Sequence, residues 1–180
     1  MIIQSKNNRQ VLLRKLTPDD IDKLTIYFQK LGPETLKRYG PHKFDKQSLI
    51  ELYQNSAIYT VYIAEDIETS YIIAYSVIKA GYLEHDSMRL QSYSLKLNPK
   101  TDCTFAPSVA DEWQSYGIGN SLFHYMLADL KMNSIKRIIL WGGVQSDNQK
   151  AVNYYLKNGF RVMGEFEYNG PNYDMILEIN

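Results

Sequence analysis

The stretch Val109-Ala110-Asp111-Glu112-Trp113-Gln114-Ser115-Tyr116-Gly117-Ile118-Gly119 carries the pattern on which the reading of this 180-residue chain turns. Gly117 and Gly119 bracket a single residue, which lets the backbone turn tightly and bring its N–H groups close to an anion. From Ile118 onward, Leu122, Phe123, Met126, Leu127 and Leu130 continue one apolar stripe at helical spacing. The turn therefore opens into an amphipathic helix, whose N-terminus adds a positive dipole end. The arrangement predicts a cradle for a diphosphate made from main chain rather than from side-chain charge. The same glycine spacing also fits an ordinary strand-to-helix turn.

Two common phosphate loops are excluded by the residues after the glycines. A P-loop needs Lys-Ser/Thr at the helix start, where this chain has Asn120-Ser121. A dinucleotide fingerprint needs a third glycine three positions after the second, where Leu122 stands. A second patch lies downstream of an apolar strand, Arg137-Ile138-Ile139-Leu140-Trp141. There Ser146 and Gln149 read as a capping box, Ala151, Val152, Tyr155 and Leu156 as an apolar helix face, and Gly159 as the helix stop.

Bulk properties narrow the classes further. Twenty basic and twenty acidic side chains cancel, so no overall charge argues for nucleic acid or a membrane as partner. The single cysteine, Cys103, cannot form an internal disulfide, in keeping with a reducing compartment. The first nine residues hold no long apolar run, and runs such as Ile72–Tyr75 are too short to span a bilayer, so a soluble cytoplasmic protein is expected. His42, His85 and His124 show no ligand spacing, so no metal is expected. The length predicts one domain over residues 1–180.

Along the chain, strands are predicted at Val11–Leu16, Ala57–Ala64, Tyr71–Lys79, Cys103–Val109, Arg137–Trp141, Phe160–Phe166 and Tyr173–Ile179. Thr17-Pro18-Asp19-Asp20 starts a helix that runs to about Leu31, and shorter helices are expected at Pro33–Tyr39 and from Asp45 to about Asn55. Pro107 interrupts its strand, since it cannot donate to a ladder. The segment Gly81–Asp102 is the least legible; a hairpin through Ser92–Leu97 is the expectation there. The tyrosines Tyr71, Tyr75, Tyr82 and Tyr93 read either as acceptor-pocket lining or as half-buried strand residues.

Gln114-x-x-Gly117-x-Gly119 matches the pyrophosphate loop of the GNAT superfamily of acyl-CoA-dependent N-acyltransferases at every defined position. Thr104-Phe105-Ala106-Pro107-Ser108-Val109 and Glu112-Trp113-Gln114 resemble the bacterial branch with protein-lysine acetyltransferase domains. Asn148, Ala151, Tyr154, Tyr155, Gly159 and Phe160 occupy the positions of that family's Asn-x-x-Ala-x-x-aromatic-Tyr and Gly-Phe motifs. Leu31–Thr35 and Arg38–His42 resemble the helix–loop stretch that walls the acceptor site in the same branch, although a packing role fits them as well.

The resemblance implies an α/β (α+β) fold: one GNAT-like domain with a central mixed, mostly antiparallel sheet of six to seven strands, flanked by helices and splayed between the fourth and fifth. It implies transfer of an acetyl group from acetyl-CoA, as co-substrate, to a primary amine by direct attack in a ternary complex. The acceptor class stays open between a small molecule and a protein lysine, and a homodimer stays open as well. Cofactor contacts fall on Val109, Gln114, Ser115, Tyr116, Gly117, Ile118, Gly119, Asn120 and Asn148, and the general acid on Tyr155. A phenol of ordinary pKa about 10 keeps its proton at neutral pH and can pass it to a thiolate.

The base is less well marked. A lysine-like acceptor has only about one neutral amine in 2,500 at pH 7, a deficit of about 4.6 kcal/mol. The related lysine acetyltransferases carry a glutamate where this chain has Thr104, which leaves Asp102, Glu84, His85, Asp86 or water. The same residues admit two rival readings: a non-catalytic acyl-CoA-binding or regulatory domain of this fold, and an unrelated nucleotide-binding domain.

Overall fold

A computed structural model describes residues 1–54 and 57–179. The chain divides into two compact units, one made of Met1–Ile78 with Ala106–Ala128, the other of Lys79–Phe105 with Asp129–Asn180.

The first unit begins with a hairpin, β1 (Ile2–Gln4) against β2 (Gln10–Lys15), in antiparallel register Ile3↔Val11. In β2 Val11 and Leu13 are wholly buried, while Gln10 is exposed and Leu12 and Arg14 half-buried on the opposite face. β3 (Tyr59–Asp66) pairs antiparallel with β2, Leu13 opposite Ala64, and β4 (Ile72–Ala80) comes next after a tight turn. The Asp66 carboxylate closes that turn by accepting the Thr69 amide at 3.1 Å.

Three helices lie in the Met1–Ile78 part of this unit: α1 (Ile21–Gln29), α2 (Pro33–Arg38) and α3 (Lys46–Gln54). α1 buries Leu24, Tyr27 and Phe28, each contributing about 1.5–3 kcal/mol by leaving water. Phe28 stacks on Phe44 at 4.5 Å and meets Tyr75 edge-on at 5.1 Å, so this core is largely aromatic. The expected end of α3 at Asn55 lies outside the described residues.

In the second unit β5 (Asp102–Val109), whose last residues belong to the first, runs parallel to β6 (Arg137–Leu140) with Cys103 opposite Ile138. β6 pairs antiparallel with β9 (Pro171–Glu178), which also carries β7 (Val144–Gln145) and β8 (Arg161–Glu167). Leu90, Leu95, Ile139 and Ile176 form the core, with Tyr82, Tyr93 and Met163 packed on it. Helix α6 (Gln149–Lys157) ends at Gly159, whose φ of +86° is the left-handed stop that glycine permits.

The result is an α/β chain with an open, mixed, mostly antiparallel sheet. Its nine strands among the described residues run β1-β2-β3-β4-β5-β6-β9-β7, with β8 on β9. Two strands exceed the predicted number: β1 and β7 have three and two residues, too few to show a period. The parallel ladder of β5 and β6 ends at Phe105↔Leu140, while β5 continues to Val109. These are the fourth and fifth of the strands expected from sequence, between which the splay is expected.

Two expectations are corrected. No hairpin forms through Ser92–Leu97; the segment instead folds as α4 (Ser87–Ser92) and then a loop. The reason is a staple from outside the segment. The Arg89 guanidinium donates to Asp174 at 2.7 and 3.1 Å and to Asp86 at 2.8 Å, lying 3.7 Å from the centre of the Phe166 ring. In α6, Leu156 is exposed rather than part of the apolar face; Val152 and Tyr155 are its buried residues.

Candidate active site

The end of β5 and the start of helix α5 (Ile118–Met132) are joined by a loop fixed mainly through its own backbone. Ala110 N–H bonds to Ile73 C=O at 2.9 Å, Trp113 N–H to Ala110 C=O at 2.8 Å, and Gln114 N–H to Asp111 C=O at 3.3 Å. The Gln114 side chain turns back to donate from Nε2 to Val109 C=O at 3.1 Å, tying the loop to the strand end. Ser115 (φ +70°) and Gly117 (φ +88°) then adopt left-handed backbone. A Cβ on Gly117 would meet only the Lys6 side chain at 3.8 Å, so glycine is required there by conformation and not by crowding.

α5 opens with Ser121 N–H bonded to Gly117 C=O at 3.0 Å. Ahead of that bond, the Ile118 and Asn120 amides lie in the first turn, where helix N–H groups have no intrahelical acceptor and face out of the helix end. Behind this end Ile118, Leu122, Phe123 and Met126 are buried, which anchors the helix by the stripe seen in the sequence.

Two partners of the loop carry no sequence motif. Lys6, on the β1–β2 turn, donates its amide to Tyr116 C=O at 3.1 Å, and its side chain lies along Gly117. Its ammonium has no ion pair among the described residues, which leaves a cation beside the anion cradle. Asp111 accepts from the Gly32 amide at 2.7 Å and the Thr35 hydroxyl at 2.8 Å, so it ties α2 to the loop. Tyr39 donates to Ala106 C=O at 3.2 Å and Tyr27 shares a 2.9 Å bond with Ser108. The Leu31–His42 stretch thus meets the end of β5 within the first unit.

The sequence candidates divide between the units. Val109 and Gln114 to Asn120 come together in the first; Asn148 and Tyr155 stand on α6 in the second. Asn148, not Ser146, is the N-cap of α6: its Oδ1 accepts from the Ala151 amide at 3.3 Å. The expected capping box fails because the Ser146 amide donates to Pro171 C=O at 2.9 Å, while Gln149 donates from Nε2 to the Ser146 carbonyl at 2.7 Å instead of accepting from that amide. Asn148 Nδ2 has no partner among the described residues.

Tyr155 packs edge-on against Phe160 at 5.4 Å and Phe105 at 6.5 Å. Burial pushes its phenol far above the usual tyrosine range, and its hydroxyl has no hydrogen-bond partner among the described residues. Cys103 is buried, and that burial pushes its thiol up, which disfavours the nucleophilic thiolate.

The candidate bases have other partners or none. Asp102 accepts from the Asn98 amide at 2.7 Å and from Arg137 at 3.2 Å, and burial raises its pKa against the pull of that guanidinium. Asp86 is buried and paired with Arg89, while Glu84 and His85 are exposed. Thr104 is buried and donates to Gly81 C=O at 2.9 Å. Among the described residues no group of three or more His, Cys, Asp or Glu could hold a metal ion, and no helix is long and apolar enough to cross a membrane.

Comparison with known proteins adds to this geometry. A family model described as the acetyltransferase (GNAT) family matches residues 28–160. The GNAT domain of S. lividans PAT superposes with a TM-score of 0.78 at 15% identity, covering 99% of this chain and 96% of that one. A GNAT-family acetyltransferase from Streptococcus pneumoniae gives 0.70 at 18% identity, covering 94% and 99%. YncA from Salmonella typhimurium, solved with its cofactor acetyl-CoA, gives 0.71 at 14% identity, covering 94% of each chain. At these identities the likeness is one of fold. No curated protein matches the chain.

Proposed function

The chain belongs to the acetyltransferase (GNAT) family, and from that premise we propose that it transfers an acetyl group from acetyl-CoA to a primary amine, by direct attack of the amine within a ternary complex. The observation that carries this reading is the Gln114–Asn120 loop, with its left-handed Gly117 and a helix N-terminus directly behind it. The residues fit the group: outward amides suit a pyrophosphate, and Lys6 adds a nearby cation with no ion pair among the described residues. Bound there, acetyl-CoA supplies an activated acyl thioester.

The chain's own residues then have three tasks. The loop amides bind and orient the diphosphate. Val109, braced through its carbonyl by Gln114, offers its main-chain N–H to developing negative charge on the acyl oxygen. Tyr155 holds a proton on its Oη, retained across neutral pH because the ring is buried among Phe105 and Phe160. With Asp102 and Asp86 held in ion pairs, the proposal assigns deprotonation of the amine to water. The acceptor is a small molecule or a protein lysine; we infer a soluble, cytoplasmic setting and no metal requirement.

The second reading, a non-catalytic acyl-CoA-binding domain, is favoured by one observation: Thr104 stands where a carboxylate is expected and is bonded to Gly81. Calorimetry with acetyl-CoA, and then thiol release with a panel of amines, separates the two. Binding with turnover supports the enzyme, binding without turnover on any amine supports the second reading, and no binding ends both. Tyr155→Phe keeps the ring packing and is expected to lower turnover about a hundredfold, with little change in the KM for acetyl-CoA. Unchanged turnover removes Tyr155 from the mechanism.

A further inference from the structure

Within the first unit, Ala110, the residue after β5, helps to line a cavity of about 290 Å³. Its inner wall is apolar and buried: Tyr27, Ile72, Ile73 and Ala110 are each under 10% exposed. Tyr71 and Trp113 add two aromatic faces. The charges around this wall are mixed in sign. Lys30 sits 3.9 Å from the centre of the Tyr71 ring, and its ammonium has no ion pair among the described residues. Glu112, on the lining too, is exposed and likewise unpaired among them.

Asp66 is the third charged group, and its side chain is wholly buried. Its Oδ2 accepts from Arg9 at 2.7 Å, from the Thr69 amide at 3.1 Å and from the Thr69 hydroxyl at 2.5 Å, while Oδ1 has no partner among the described residues. A buried carboxylate oxygen without a donor is costly, and an incoming N–H⁺ group relieves that cost. Arg9 itself is matched by Asp66 and Glu68 and lies over the Trp113 ring, so Lys30 is the cation left for a ligand.

These features select a ligand by elimination. A simple anion is opposed by Glu112, and a polyamine by Lys30. A molecule with one ammonium and one carboxylate on the same carbon satisfies both signs, and the apolar and aromatic wall asks for an apolar side chain. The volume lies at the small end of the usual range for ligand sites, about 300–1,000 Å³, which suits a single amino acid rather than a nucleotide or a peptide. We propose that this cavity binds a free α-amino acid with an aromatic or branched aliphatic side chain, its carboxylate on Lys30, its ammonium toward the Asp66 carboxylate, and its side chain against Tyr71, Ile72 and Trp113.

The inference stands on the cavity alone and does not depend on acyl transfer, so its test is done without acetyl-CoA. Calorimetry on the full chain compares L-phenylalanine and L-leucine with phenethylamine, which lacks the carboxylate, and N-acetyl-L-phenylalanine, which lacks the ammonium. Saturable binding of the free amino acids is expected, with either deletion weakening it about tenfold. Lys30→Met is expected to abolish the preference for phenylalanine over phenethylamine. Asp66 also anchors a turn, so Glu112→Gln serves as the milder change on the acidic side, weakening phenylalanine while leaving N-acetylphenylalanine unaffected. Absence of binding by either amino acid at millimolar concentration, or unchanged phenylalanine affinity in Lys30→Met, overturns the proposal.

Discussion

Residues 109–121 and residues 81–102 both leave the end of a strand, yet they are held in opposite ways. The first segment is fixed mostly by bonds between near neighbours: Gln114 to Val109, Trp113 to Ala110, Ser121 to Gly117. The second is fixed by side chains that meet partners eighty or more positions away, Arg89 and Tyr93 both on Asp174. A loop held by near neighbours is sensitive to conformation at one glycine, with side-chain ties from Gln114 and Asp111. A stapled segment is the reverse, indifferent to most backbone choices and dependent on one buried charge.

The largest expected effect tests the staple. Asp174 is 2% exposed and accepts from Arg89 and from the Tyr93 hydroxyl, whose pKa burial and that carboxylate push up to about 12. Asp174→Ala leaves Arg89 with Asp86 alone and the Tyr93 hydroxyl without its acceptor. Breaking one side of a buried ion pair costs about 3–5 kcal/mol; with Arg89 about a quarter exposed, the lower figure, about 3 kcal/mol, is expected. Urea unfolding measures it, with Met88→Ala, at 83% exposure on the same helix, as the control expected to change nothing. Equal stability of the two variants would dissolve the contrast between the segments.

The next effect tests the loop held by near neighbours. At Gly117 a Cβ meets nothing closer than 3.8 Å, so Gly117→Ala carries only the left-handed penalty of about 1–2 kcal/mol. If the loop relaxes to escape that penalty, its amides move and acetyl-CoA affinity falls about tenfold or more. Asparagine tolerates this backbone better than alanine, so Gly117→Asn is expected to recover part of the affinity. Calorimetry with acetyl-CoA on the three proteins checks the order Gly, Asn, Ala; identical affinities would mean that the loop's shape does not matter for binding.

The same contrast explains what could be read from the chain beforehand. The loop, the α5 stripe, the Gly159 stop and seven of the strands declare themselves through residues that lie close together in sequence. The α4 helix does not, because six residues carry little periodic signal and the decision rests with Asp174 and Phe166, far downstream. β1 and β7 escape for shortness. Asp111 and Lys6 escape for another reason: each works by reaching a partner brought near only by the fold, Gly32 and Thr35 for one, Tyr116 for the other. Asp102 shows the converse error. Its position on the strand made it a candidate base, and only the structure gives it Arg137 and the Asn98 amide as partners.

The smallest effect separates two roles in one side chain. Asn148 Oδ1 caps α6 through the Ala151 amide, a local device, whereas the family resemblance assigns Asn148 to the acetyl-CoA arm. The two uses fall on different atoms, since Nδ2 has no partner among the described residues. Asn148→Ala removes both and is expected to cost about 1 kcal/mol of stability. Asn148→Ser keeps a capping oxygen and returns most of that stability, yet it offers no amide donor. If Nδ2 holds the arm, serine restores the unfolding midpoint while acetyl-CoA affinity stays at the alanine level. Recovery of both together would make Asn148 a cap and nothing more, and α6 would then owe its place in the proposed chemistry to Tyr155 alone.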